Sequence, residues 1–418
     1  MPPLNNFQRS CLTLAIGQAL LTPASQAATI TVNTLLDDGT GCTLRDAITS
    51  VNSGISLEPG CANPGGDAFG SNDTIQFAPS LTGVITLGSK IEIESPVDIT
   101  GPGADTLAIS GNDSNQIFDV RADYVSLSGL TLQNGSYISG GGAIYAHEVT
   151  NLTLDACNFS DNYAFSGGAV YLNNVTDPTI SNSVFSSNSA NLRGGAISAN
   201  HSVNLNIIGT SIDNNRARYG AGINLTSGST DVILANSTLS GNVAVVGVGE
   251  IGGLGGGIYM KGSSSALLTN VTVKDNQAPN GAGGLYLGDD FSSIDLMANN
   301  VITSAGGRDC NFTAVGGSNN WIEDDSCTGI ASGDPMLGPL ANNGGPTPTH
   351  LPLADSGLIG AGDVAACQAA PVNGTDQRGI ERGKSTCDIG AVEGSGLPLE
   401  TDFFVIPLPG GKTVVLPL

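Results

Sequence analysis

Phe159-Ser160-Asp161-Asn162 and, five residues on, Gly167-Gly168-Ala169-Val170-Tyr171 decide the fold, because both boxes recur along the chain. The glycine box returns as Gly141-Gly142-Ala143-Ile144-Tyr145, Gly194-Gly195-Ala196-Ile197-Ser198, Gly220-Ala221-Gly222-Ile223-Asn224, Gly255-Gly256-Gly257-Ile258-Tyr259 and Ala282-Gly283-Gly284-Leu285-Tyr286. Successive starts lie 26, 27, 26, 35 and 27 residues apart. The second box, an apolar residue followed three places later by Asn, returns at Phe185–Asn188, Ile212–Asn215, Leu239–Asn242 and Val273–Asn276. A fixed period of this length marks a stack of similar turns.

Between the boxes lie alternating stretches such as Leu152-Thr153-Leu154 and Val271-Thr272-Val273, which read as strands, with no helical periodicity in the repeats. The fold class is therefore all-β, a right-handed parallel β-helix of the pectin-lyase-like kind. One turn cannot bury its own apolar face, so stability depends on stacking. Phe159, Phe185, Ile212, Leu239 and Val273 are predicted to form one buried column. The Asn of each box suits a left-handed corner and can bond its counterpart in the next turn. Glycines at the other corner allow close backbone approach. The longest repeat holds eight extra residues, which map to Val245–Leu254 and should bulge outward as a loop. Its Val245, Val246, Val248, Ile251 and Leu254 make it a candidate partner-binding surface, the alternative being a segment folded back over a neighbouring turn.

These paired boxes resemble the repeats of chlamydial-type polymorphic outer membrane proteins, over about 160 residues. Those proteins are adhesive autotransporters. Here no long C-terminal barrel of alternating strands follows, so self-transport is not implied.

Residues 1–27 read as a secretory signal: Arg9, an apolar run from Cys11 to Thr22, and small residues at Ser25-Gln26-Ala27. No later apolar stretch suits a membrane span. Residues 28–72 form an N-terminal cap, with the strand Thr29–Thr34 and a helix opening at Cys42-Thr43-Leu44-Arg45-Asp46-Ala47-Ile48. Thr43 and Asp46 stand as a capping pair, and Leu44, Ala47, Ile48 and Val51 share a face. This segment resembles the Cys-Ser-Leu-Arg-Glu-Ala-Ile domain of exported β-helix proteins. Residues 73–330 form the β-helix. Residues 331–394 carry Asp334-Pro335, Asn342-Asn343-Gly344-Gly345-Pro346, Asp376-Gln377-Arg378-Gly379 and Cys387–Glu393, and resemble the choice-of-anchor Q domain of bacterial surface proteins. Residues 395–418 hold two apolar pieces, read as a hairpin or a sorting signal.

Aromatics make up 5% and charged residues 12% of the chain, below what a compact globule usually draws on, while 59 glycines suit tight turns. A net charge of −23 repels phosphate backbones and excludes nucleic acid as partner. Six cysteines fall into local pairs, Cys42 with Cys61, Cys310 with Cys327 and Cys367 with Cys387, which can oxidise after export. Cys157 is left over as a buried thiol.

Glycosidic hydrolysis needs opposed carboxylates, and none of His147, His201 and His350 has the flanking glycines of the β-helical hydrolases. Arg193, Arg216 and Arg218 precede the glycine box on neighbouring turns and could meet Asp161 and Asp213 at one edge. Gly247-Val248-Gly249-Glu250-Ile251-Gly252 fits a dinucleotide pattern, but no helix follows it. Asp289-Asp290 and Glu323-Asp324-Asp325 lack the spacing of a calcium loop. The sequence thus reads as an exported β-helix, extracellular or on the surface of a Gram-negative-type bacterium, structural or adhesive and non-catalytic. It would need no cofactor, and its partner is an unidentified extracellular glycan or protein. The alternative is a polysaccharide lyase or hydrolase.

Overall fold

The computed structural model describes residues 27–55, 61, 69, 73–247, 249, 252–313, 317–324, 326–327 and 332–394, and the backbone of the strands Phe403–Leu408 and Lys412–Pro417. The proposed leader, Val248, Ile251 and Asp325 lie outside the described residues. Short strands stack turn upon turn into parallel sheets of ten, fifteen and eight strands. The chain is a right-handed parallel β-helix.

The predicted column is continuous. Phe159 pairs in register with Phe185, Phe185 with Ile212, Ile212 with Leu239 and Leu239 with Val273. All five are fully buried. The column runs beyond the repeats, from Ile85, Ile109 and Leu132 below to Ile302 and Ile322 above.

The corner chemistry differs from the sequence expectation in one respect. The box Asn is not the left-handed residue; the one before it is, at Asp161, Ser187, Asn214, Gly241 and Asp275, with φ between 55° and 62°. That leaves each Asn side chain turned inward along the stack. Asn188 Oδ1 accepts from both the backbone N–H and the side-chain amide of Asn162, while Asn188 Nδ2 donates to Asn215 Oδ1 and Phe159 O. The ladder continues through Asn215, Asn242 and Asn276, every member buried. Buried amides are tolerable only when satisfied in this way. At the glycine corner, Gly167 takes φ 61°. A Cβ on Gly168 would fall 2.2 Å from Gly195 O, so the turns could not approach as they do.

The cap is joined to the stack rather than set apart from it. Thr29–Val32 is the first rung of the ten-stranded sheet, paired with Asp73–Phe77. Helix Leu44–Ser53 starts where the Thr43 side chain accepts from Asp46 N–H, ends at left-handed Gly54, and buries Leu44, Ala47, Ile48 and Val51.

Residues 332–394 pack onto the outer face of the fifteen-stranded sheet. Gln377 accepts from Thr238 Oγ1, and His350 meets Ser240 Oγ at 2.9 Å. Buried Arg382 donates to Asn236 Oδ1 and pairs with Glu393 at 3.0 Å. Disulfides join Cys42 to Cys61, Cys310 to Cys327 and Cys367 to Cys387. Cys157 is free and buried, and burial pushes its thiol up to about 12. Phe403–Leu408 and Lys412–Pro417 pair antiparallel. No helix among the described residues is long and apolar enough to cross a membrane.

Candidate ligand-binding face

The eight-stranded sheet brings tyrosines and charged side chains into one column. In each of its strands the first residue of the repeat pair is buried and the next points outward, because side chains alternate across a strand. Register then stacks Glu92, Asp119, Tyr145, Tyr171, Ser198, Asn224, Tyr259 and Tyr286 in one outward column. Two rings stack at each end of the tyrosine run. Tyr145 and Tyr171 lie 5.4 Å apart and 10° from parallel, Tyr259 and Tyr286 5.7 Å apart and 8° from parallel. Tyr219 leans on Tyr259 from the adjoining corner. Tyr145, Tyr171 and Tyr286 are half-buried and offer ring edges and phenol hydroxyls, whereas Tyr259 is only 6% exposed, and Asp119, Ser198 and Asn224 are buried with it. Burial, with Tyr219 beside it, pushes the Tyr259 phenol up to about 12, and burial also raises Tyr171, so both stay neutral donors. Between the pairs, Asn224 donates to Ser198 Oγ, while its buried Oδ1 has no hydrogen-bond donor.

At the N-terminal end of the column sits an ionic knot. Asp119 pairs with Lys90 at 2.6 Å and Arg121 at 2.7 Å, and its Oδ1 lies 3.5 Å from His147 Nε2. Glu92 pairs with both cations at 3.0 Å. Burial opposes charge on Asp119, but the hydrogen bonds and charges of Lys90 and Arg121 outweigh it and hold the carboxyl below its usual range. Burial likewise works against charge on Lys90, and Asp119 and Glu92 more than reverse it. At neutral pH the acid is therefore fully ionised and the amine fully protonated. Neither is poised near the operating pH, as general acid–base chemistry requires.

The carboxylate and arginine partners anticipated at one edge do not meet. Asp213 is buried on the fifteen-stranded sheet, bonded to Ser211 and Asn214, and Asp161 is exposed at its corner. Among the described residues neither forms an ion pair with Arg193, Arg216 or Arg218: the left-handed corner at Asp161 and Asn214 turns the chain between the strand that carries Asp213 and the strands that carry the arginines. The histidines are also dispersed. His147 joins the knot, His201 occupies a left-handed corner, and His350 is buried in the C-terminal contact.

The acidic pairs read as turns. Asp289 accepts from the backbone of Gly262, Phe291 and Ser292. Asp309 and Asp324 bond each other's backbone amides. Among the described residues, atoms that could share a metal ion gather only at Cys367, Cys387 and Glu393, and both sulfurs there are tied in a disulfide.

A cavity of about 480 Å³ lies where the C-terminal region meets the stack. It is lined by Thr131, Asn158, Ser160 and Ser186 with a single carboxylate, Asp105. It offers hydroxyls and amides without an acid–base pair.

Of the insertion, Val246 is exposed while Val245 and Leu254 are half-buried. Strands on both sides keep register, Ala217 with Ala244 and Ile223 with Ile258. The knot and the tyrosine column escaped sequence reasoning. The recurrent fifth residue of the glycine box, Tyr145, Tyr171, Tyr259 and Tyr286, was the available signal.

Residues 20–239 match the family described as right handed beta helix region, and the chain belongs to it. No curated protein sequence matches the chain. Among solved structures it is similar to pectate lyase Pel9A, with 16% identity, TM-score 0.49, and coverage of 89% of this chain and 98% of that one. It is also similar to the A-module of the Azotobacter vinelandii mannuronan C-5 epimerase AlgE6, with 12% identity, TM-score 0.34, and coverage of 74% and 91%. A third is the PL6 family alginate lyase AlyGC, with 12% identity, TM-score 0.24, and coverage of 78% and 56%.

Proposed function

We propose that this member of the right-handed β-helix family is an exported, surface-displayed or secreted adhesive protein that holds a glycan on its eight-stranded sheet without cleaving it. The observation that carries the reading is the row of half-buried tyrosines, Tyr145, Tyr171 and Tyr286, in register on the outer side of the sheet. Tyrosine edges and hydroxyls give large amphipathic contact at low entropic cost. Binding without cleavage is supported by the ionic knot, whose acid is held ionised and whose amine is held protonated. Export is supported by the leader-like start and the three disulfides. Resemblance to polymorphic outer membrane protein repeats, to an N-terminal cap and to a choice-of-anchor Q domain supports display on a Gram-negative-type surface. The insertion, through Val246 with Val245 and Leu254, is the proposed rim for a partner.

A glycan array tests this. The purified chain should retain at least one extracellular polysaccharide without releasing new reducing ends or unsaturated products, and Tyr171→Ala with Tyr286→Ala should weaken retention. A chain that retains no glycan overturns the reading.

The second reading, a glycan lyase or hydrolase, is favoured by one observation. Asp119 Oδ1 is buried with no hydrogen bond and faces His147. It requires turnover that disappears in Lys90→Ala or His147→Ala.

A further inference from the structure

Resting on the glycan reading, we propose that Arg193, Arg216 and Arg218 form an anion-selecting strip beside the tyrosines. The ligand class is then a glycan bearing carboxylates or sulfates.

The first observation is electrostatic. The chain has 14 Lys and Arg against 37 Asp and Glu, and half of the twelve cationic side chains among the described residues hold a carboxylate. Arg45, Lys90, Arg121, Lys274, Arg378 and Arg382 all do. Among the described residues, the side chains of Arg193, Arg216 and Arg218 have neither an ion pair nor a hydrogen bond. Three neighbouring guanidiniums left open on so acidic a protein make a local reversal of its field.

The second is placement. Arg193 bridges Tyr219 in the next turn, and the backbone amides of Arg218 and Tyr219 both bond Leu192 O. Arg216 and Arg218 flank buried Ala217, so alternation sends both to the outer side. The charge of Arg193 reaches the phenols of both Tyr171 and Tyr259, bridging the gap between the two stacked pairs. Arg193 thus joins the corner to the tyrosine column, and Arg216 and Arg218 stand on the following turn, where Arg216 pairs with Ser189 of the Arg193 strand.

The third is support. A Cβ on Gly247 would fall 2.3 Å from Arg218 Cζ, so the insertion's glycine backbone rests on this guanidinium while leaving its donors open. Packing that holds an arginine without consuming its N–H groups preorganises it for an incoming anion.

Arginine's planar fork matches carboxylate and sulfate oxygens. Repulsion from the remaining surface confines a polyanion to this strip. A nucleic acid would seek ring faces for its bases, and stacking takes one face of each tyrosine in the two pairs.

The test titrates the purified full chain with a polyuronate oligosaccharide, a sulfated oligosaccharide, a neutral oligosaccharide of equal length and a single-stranded oligonucleotide. Arg193→Ala combined with Arg218→Ala should lose about tenfold or more in affinity for the anionic glycan, with the loss shrinking in high salt. Neutral-glycan binding should be unchanged, Arg193→Lys should recover part of the loss, and exposed, unpaired Arg308→Ala should change nothing. Circular dichroism verifies each fold. The polyuronate and sulfate arms decide which anion is taken. If wild type binds glycans and the double variant binds the anionic probe equally well, the strip is wrong while the glycan reading stands. Preference for the oligonucleotide also overturns the strip. Retention of no glycan at all removes both.

Discussion

Phe159 and Phe185 lie one directly above the other, ring centroids 4.4 Å apart and planes 7° from parallel. This contact is one rung of a column that continues through Ile212, Leu239 and Val273. Phe185→Ala removes the ring that both neighbours pack against and should cost about 3–5 kcal/mol. Phe185→Leu, which imitates the Leu239 rung, should cost about 1–2 kcal/mol. Urea denaturation followed by circular dichroism measures both. An alanine variant as stable as wild type would show that the column is not what holds the turns together.

Asn188 joins three turns through its side chain, accepting from Asn162 and donating to Asn215 and Phe159 O. Asn188→Ala leaves the amides of Asn162 and the oxygen of Asn215 short of partners in a buried setting. Each orphaned group costs about 1–3 kcal/mol, so the loss should rival that of the phenylalanine ring. Asn206→Ala, which removes only an exposed bond to Asn204 O, should change stability by less than about 0.5 kcal/mol. Equal effects from the two variants would mean that the ladder contributes nothing beyond surface polarity.

How much of this was legible beforehand follows from what period and register can carry. The interval between boxes identifies equivalent residues on successive turns, so the column from Phe159 to Val273 and the location of the insertion could be read directly. Period does not give dihedrals. The left-handed corner was therefore assigned to the box Asn when it falls one residue earlier, at positions occupied by Asp, Ser, Asn and Gly. Nor does it reveal which outward columns converge. Asp119 stands before the first glycine box, and its meeting with Lys90, Arg121 and His147 depends on register between turns of irregular length. Arg193, Arg216 and Arg218 are visible as a group, but Arg193 lies beside tyrosines and Arg218 beside the Gly247 backbone, neither beside a carboxylate.

At the C-terminal end of the stack, burial first and then the charge of Asp324 push Asp309 up to about 7. An unfolded aspartate titrates near 3.9. Below about 4 both states are protonated, and the favourable contribution of the neutral carboxyl is fully present. Between about 4 and about 7 the folded state holds a proton that the unfolded chain has lost, so this contribution declines as pH rises and is gone above about 7. Asp309→Asn keeps an acceptor oxygen for the Glu323 and Asp324 amides but cannot ionise. Its melting temperature should exceed that of wild type at pH 8, with the difference narrowing as the solution is acidified. Parallel melting curves for the two proteins across that range would remove Asp309 as the source.

The disulfide between Cys367 and Cys387 closes a loop of 20 residues in the region that grips the outer face of the stack. Closing a loop of this size is worth roughly 3 kcal/mol in the chain-entropy model. Replacing both cysteines by serine should therefore loosen residues 332–394 before the stack itself melts. Hydrogen exchange should show the gain at Gln377 and Arg382, with the amides of Phe185 and Ile212 still protected. Simultaneous exposure of both sets would mean that region and stack unfold as one unit.

The insertion offers the sharpest separation of scaffold from surface. In the preceding turn a single residue, Arg218, connects Ala217 to Tyr219; here nine residues connect Ala244 to Leu254, the partners of those two. Deleting Val245–Gly252 leaves Gly253 alone in the linking position and restores the shorter turn. Ala244 stays buried against Ala221 and Ala278, and the strands on either side already hold register without the loop. The strand signal should persist, with a stability change within about 1 kcal/mol, since what is removed lies outside the column. What the deletion takes away is the glycine backbone resting on Arg218. That side chain would gain rotamer freedom, and ordering it again costs about 1–2 kcal/mol. Affinity for an anionic glycan should then fall about five- to thirtyfold, while a neutral glycan held by the tyrosines is unaffected. Collapse of the fold on deletion would instead assign the segment to the core. An intact fold with undiminished anion binding would show that the loop supports neither the stack nor the arginine beneath it.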